Sequence, residues 1–256
     1  MEAPVIVLIA LALIFDYLNG FHDSSNIVAT IISSRAMPPR IAMLLTASAE
    51  FIGPFLFGVA VAKTIGEGIV PPDLVTMPVI LATLGAAILW NLFTWFFGIP
   101  SSSSHALIGG LVGAVIVSVG ADSITWGGMT KVLVSLFISP LLGLAVGYII
   151  TKLVYFLARS ASLKINWFFK NAQVITGMGL ALSHGANDAQ KTMGIITLGL
   201  VVSGNLPSFE VPIWVIALSA GSIALGTSMG GWRLIRTLGG KFYKIRPLHG
   251  FCTQIS

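Results

Sequence analysis

Two stretches of this 256-residue chain carry residue types that could do chemistry. The first is Asn19-Gly20-Phe21-His22-Asp23-Ser24-Ser25-Asn26. The second is His184-Gly185-Ala186-Asn187-Asp188-Ala189-Gln190-Lys191-Thr192. Aligned without gaps, Gly20 falls on Gly185, Asp23 on Asp188 and Ile31 on Ile196. Each stretch sets a glycine three residues before an aspartate, among amides and hydroxyls, within an apolar run. Ionisable side chains at membrane depth are costly, and their default reading is a functional site facing the protein interior. Two such sites at matching places in a chain point to a transporter built from repeats.

A third polar element is Pro100-Ser101-Ser102-Ser103-Ser104-His105. A buried anion must exchange its water for hydroxyls, amides and free N–H groups at a helix start. Ser102, Ser103 and Ser104 could offer both kinds of donor; the plain alternative is an N-cap followed by a solvated turn. Asp23 and Asp188 would repel an anion unless they bind a cation such as Na⁺ or are protonated and donate to it. Either way the chemistry is cation-coupled symport. Asn26, Asn187, Gln190 and Thr192 are natural hydrogen-bond partners, and Lys191 could hold the anion or Asp188. His22 and His105 could carry protons. Glu50, in mid-span with no basic neighbour one turn away, is a further coupling-ion candidate. Asp16 lies two turns before Asp23 on the same helix.

These residues need a membrane scaffold. The chain is 55% hydrophobic and 9% charged, against about 25% charged in a soluble domain. It reads as an integral membrane protein, so its net charge of +5 is no nucleic-acid footprint. One cysteine, Cys252, excludes an internal disulfide. There is no G-x-x-x-x-G-K-[ST] loop and no H-E-x-x-H, so ATP hydrolysis and that type of zinc catalysis are unsupported. No enzymatic activity and no resident cofactor are expected, only a co-transported H⁺ or Na⁺.

A spanning helix needs roughly 20 mostly apolar residues. Residues 4–32 read as one span interrupted near Gly20, and 41–62 as a second. Then come 74–99, a shorter 105–121 that either crosses or re-enters, 132–150, 174–202, 211–231, and a start at 247. Of the 14 Lys and Arg, 11 fall in the loops after the first, fifth and seventh segments. If the first half crosses five times, these loops share a face. The positive-inside rule then makes that face cytoplasmic, with the N-terminus outside. An odd number of crossings inverts the second half. The expected fold is an all-α polytopic helix bundle with inverted-topology repeats and a broken or re-entrant helix near Pro100–His105. Residues 1–165 form the first repeat with about five segments, and 166–256 an incomplete second one, a C-terminally truncated partner.

The residues FDYLNGFHDSSNIVAT and SHGANDAQKTMGIITLG resemble the PiT family of inorganic phosphate transporters. Gly185–Asp188 matches the family's G-x-N-D-like signature, whereas the first copy has His22 where the signature has Asn. Pro100–His105 resembles the family's P-x-S-x-x-H-like element, and Glu50 its membrane glutamate. The resemblance implies phosphate as substrate, carried with a cation across the cell membrane. It also implies a second serine/threonine element beyond residue 256. His22 and the Gln190-Lys191 pair are similar to the bacterial proton-coupled branch. A homodimer is a candidate assembly. The alternatives are a sulfate permease on the same scaffold and, more remotely, a passive anion channel or an intramembrane hydrolase using Ser103 or Ser104 with His105.

Overall fold

The computed structural model describes residues 2–67, 70, 74–99, 101–162, 164–230, 232–236 and 245–256. Pro100 and two basic residues of the loop after 236, Lys241 and Lys244, lie outside that set. The described residues form helices: α1 (Ala3–Ser33), α2 (Pro39–Leu56), α3 (Ala60–Glu67), α4 (Met77–Phe97), α5 (Ser103–Val119), α6 (Trp126–Leu157), α7 (Ile165–Val202), α8 (Ile213–Met229), α9 (Trp232–Arg236) and α10 (Pro247–Ile255). Among them, α1, α4 and α6 are long and apolar enough to cross a membrane. The pair α2 and α3, bent by 77°, makes a fourth if it counts as one span.

Two features differ from the sequence expectation. The first motif does not interrupt its helix: α1 runs unbroken through Gly20 and Asp23. Its hydroxyls feed back onto the same helix, Ser24 to the Phe21 carbonyl and Ser25 to the His22 carbonyl. Polar side chains satisfied in this way need no break. The second segment is not one straight span. It ends at Leu56, turns through Gly58 at φ 74°, and restarts as α3. Near Pro100–His105 the expected break is present among the described residues. Gly98, at φ 66°, closes α4, and Ser102 caps α5 by accepting from the His105 N–H. The two helices then pack as an antiparallel hairpin, Thr83 beside Gly110 and Thr94 beside Ser101.

Around the polar motifs α1, α2, α7 and α8 form one tight bundle. Contacts run Leu8 with Gly199, Asn19 with Asp188 and Ile31 with Gly177, so α1 and α7 are antiparallel. In hydrocarbon, close backbone approach supplies the packing that the hydrophobic effect supplies in water. Four glycines provide it in two matching pairs. A methyl group at Gly20 would strike the backbone of Ile223, and one at Gly185 the backbone of Glu50. A methyl at Gly226 would strike the Tyr17 carbonyl and the Phe21 N–H. One at Gly53 would strike the Leu182 carbonyl and the Ala186 N–H. Tyr17 and Phe21 precede Leu182 and Ala186 by the same 165 residues that separate Gly20 from Gly185. So α2 stands to α7 as α8 stands to α1, and the bundle is an inverted repeat. In contrast α6 has no buried residue, and large apolar side chains are exposed along its length.

Adding a methyl at Gly226 should therefore be costly, and adding one at Gly221, with nothing within 4 Å, should not. Overpacking costs about 1–3 kcal/mol, whereas Gly→Ala in an open helix position gains up to about 1 kcal/mol. Melting of the detergent-solubilised protein should fall for Gly226→Ala and hold or rise for Gly221→Ala. Equal melting temperatures would show that the glycine contact does not matter.

Candidate functional site

The helical period decides which motif residues meet. On α1, Asp16, Asn19 and Asp23 share one face at spacings of three and four. On α7, His184, Asp188, Lys191 and Thr192 do the same. Facing each other antiparallel, the two rows interleave. Asn19 Nδ2 donates to Asp188 Oδ2 at 3.1 Å. Its counterpart 165 residues on is His184, which converges with Asp23: ligand atoms of Asp23, His184 and Asp188 all lie within 4.8 Å of one another. The two aspartates thus come to a single place, each reached by the residue four positions ahead of the other.

Asp23, Asp188 and Glu50 are each met by donors. Lys191 Nζ binds Asp188 Oδ1 at 2.6 Å, and His184 Nε2 lies 3.3 Å from Oδ2. His184 Nδ1 sits 2.8 Å from Glu50 Oε1, while the Thr227 hydroxyl donates to Glu50 Oε2. Glu50, with no basic neighbour on its own helix, is therefore supplied across the bundle from α7 and α8. Ser103, at the α5 N-terminus, lies 2.5 Å from Asn19 Oδ1 and 3.0 Å from Asp23 Oδ2. One hydroxyl hydrogen can serve only one of these acceptors at a time. His22 stands 3.5 Å from Asp23 and 3.5 Å from the Thr94 hydroxyl, which accepts from Ser101 at 3.0 Å.

Several residues expected here are engaged elsewhere. Gln190 Oε1 accepts from the Val61 N–H at 2.8 Å and the Ala62 N–H at 3.4 Å, so it caps the start of α3. Thr192 faces Asp16 rather than Asp188. Asn26 and Asn187 are exposed and join none of these contacts. Ser102 is spent as the cap of α5. Ser104 and His105 line a separate cavity beside Lys131, Ser135 and Ser139 of α6. That sets His105 apart from Ser103, which faces Asn19 and Asp23 instead. The sequence reading did not select Asn19, His184 or Thr227. The first two fall on each other in the same gapless alignment that pairs the aspartates, which was the available signal. Thr227 had none.

Set beside known proteins, the chain matches the Phosphate transporter family over residues 19–168 and 159–256. It is 46% identical to a probable low-affinity inorganic phosphate transporter of Rhizobium meliloti (strain 1021), over 98% of this chain and 76% of that protein. It is 42% identical to one of Bacillus subtilis (strain 168), with the same coverage of each. The fold is similar to that of a solved sodium-dependent phosphate transporter at a TM-score of 0.88 and 23% identity, covering 99% of this chain and 84% of that one. By the span of the family match and by this identity, the chain belongs to the Phosphate transporter family.

Proposed function

We propose that this membrane protein carries inorganic phosphate across the cell membrane by symport with a cation, H⁺ or Na⁺. The observation that carries this reading is the convergence of Asp23, Asp188 and the N-terminus of α5 at Ser103, from three separate helices. Free N–H groups at a helix start and a hydroxyl suit a tetrahedral oxyanion. Asp23, Asn19 and Ser103 form the anion cradle in this reading. His184 and Lys191 hold Asp188, and the Glu50–His184–Thr227 contact is the adjoining route for a proton. The relatives' names support phosphate, and the fold neighbour's name supports a cation partner. Residues 1–165 and 166–256 serve as the two inverted repeats, with the N-terminus outside.

Lys191 supplies a fixed positive charge where a mobile ion would otherwise be needed. Removing one partner of a buried ion pair costs about 3–5 kcal/mol. Lys191→Met should lower the melting temperature and abolish uptake. Lys191→Met with Asp188→Asn should regain most of the stability and none of the transport. If the single variant melts like the wild type, the pair is not holding the site together.

Transport itself is read with full-length protein in proteoliposomes, imposing a pH gradient or a Na⁺ gradient in turn with excess sulfate present. Phosphate should accumulate on one of the two gradients, indifferent to sulfate, and not in Asp23→Asn or Asp188→Asn. Uptake independent of both gradients would make the protein a passive pathway. Uptake abolished by sulfate would reassign the substrate.

A further inference from the structure

One buried acid takes no part in the site above. Asp16 is fully buried on α1, and neither carboxylate oxygen has a hydrogen-bond partner. Thr192 of α7 and Ser219 of α8 face it. Both are fully buried, and neither hydroxyl closes a hydrogen bond. The helix register accounts for the meeting. With Asn19 level with Asp188 and Leu8 with Gly199, Asp16 comes level with Lys191 and Thr192. Along α8, the Ser222 hydroxyl reaches the Leu13 carbonyl, and Ser219 lies one turn away. The charged groups that act on Asp16 are Lys191 and Asp188 of α7, and α8 presents only the Ser219 hydroxyl. Lys191 is already bonded to Asp188.

A carboxylate in this position is an uncompensated buried charge, among the most expensive states a protein can hold. Something positive must accompany it. The side chains at this level offer two carboxylate oxygens and two hydroxyls, fewer than the shell of about six oxygens a hard metal ion takes. A proton needs one acceptor, and the resulting O–H can donate to Thr192 or Ser219. We infer that Asp16, with Thr192 and Ser219, is a proton-binding site, separate from the anion cradle, that loads and unloads the coupling proton. The step is a proton taken from water on one side by the carboxylate and returned to water on the other, with no other bond changed. This rests on the reading of the chain as a cation symporter. Asp16 lies two turns from Asp23 on one rigid helix, so both sites move with α1.

The test compares two transport modes in proteoliposomes for wild type and Asp16→Asn: accumulation driven by a pH gradient, and one-for-one phosphate exchange, which needs no net proton movement. Asp16→Asn should lose accumulation and keep exchange, and Asp16→Glu should restore accumulation. Accumulation by Asp16→Asn at the wild-type level, or loss of exchange together with accumulation, would overturn the assignment. Wild-type accumulation driven by Na⁺ alone would overturn it while leaving symport intact. A wild type that exchanges phosphate but follows neither gradient would remove the symport reading itself. If Asp16→Asn does not fold, Asp16→Glu carries the test by infrared spectroscopy. The protonated-carboxyl band must shift relative to wild type, and an unmoved band would overturn the proposal.

Discussion

A carboxylate at membrane depth has to be answered by charge or hydrogen bonds, and the interior of this protein is organised by that requirement. Water answers it at a surface. Here the answer comes from the same helix and from its neighbours: Lys191 and His184 of α7 and Asn19 of α1 for Asp188, His184 and Thr227 for Glu50, Ser103 of α5 and the adjacent His22 for Asp23. Such short polar groups reach across only if the backbones nearly touch. The glycines at 20, 53, 185 and 226 bring them that close. Packing and polar chemistry are therefore one problem, because a methyl group at any of these positions would push apart the helices whose side chains neutralise one another.

The continuity of α1 and α7 follows from the same economy. A broken helix exposes N–H and C=O groups that then need partners of their own. This bundle presents its polar groups as side chains on unbroken helices and keeps a helix start for one place, the α5 N-terminus beside Asp23. The second helix start in the region, that of α3, is closed by Gln190. The difference between the two starts is what singles out Ser103: its helix end faces the paired aspartates, and the other faces an amide.

The apolar composition was enough to read the membrane class, and the repeated glycine–aspartate spacing the duplicated architecture and the meeting of Asp23 with Asp188; the serine run offered Ser103 without separating it from Ser102 and Ser104. The helix break before Ser102 was legible too, since a serine run after an apolar span signals a cap. Rotation around the helix was harder to read. Gln190 stands two residues past Asp188, about 200° around an α-helix, so it points away toward α3. Thr192 is one turn past Asp188 on the same face and so meets Asp16 instead. The turn between α2 and α3 lies inside a uniformly apolar run, where hydropathy has no marker for a 77° bend. Partners contributed from distant segments, such as Thr227 for Glu50, leave no local pattern at all.

The internal twofold relation is close in backbone and broken in chemistry. Glu50, which packs on Gly185, corresponds to Ile223, which packs on Gly20. Lys191 corresponds to Asn26, and Asp16 to Ala181. Exchanging the conformations of two identical halves would produce two end states of equal energy, related by the two-fold rotation that relates the halves. With a glutamate set against an isoleucine and a lysine against an asparagine, that equality has no reason to hold. In a transporter whose halves exchange conformations, the substitutions that equip the site would also set a resting preference for one orientation over the other.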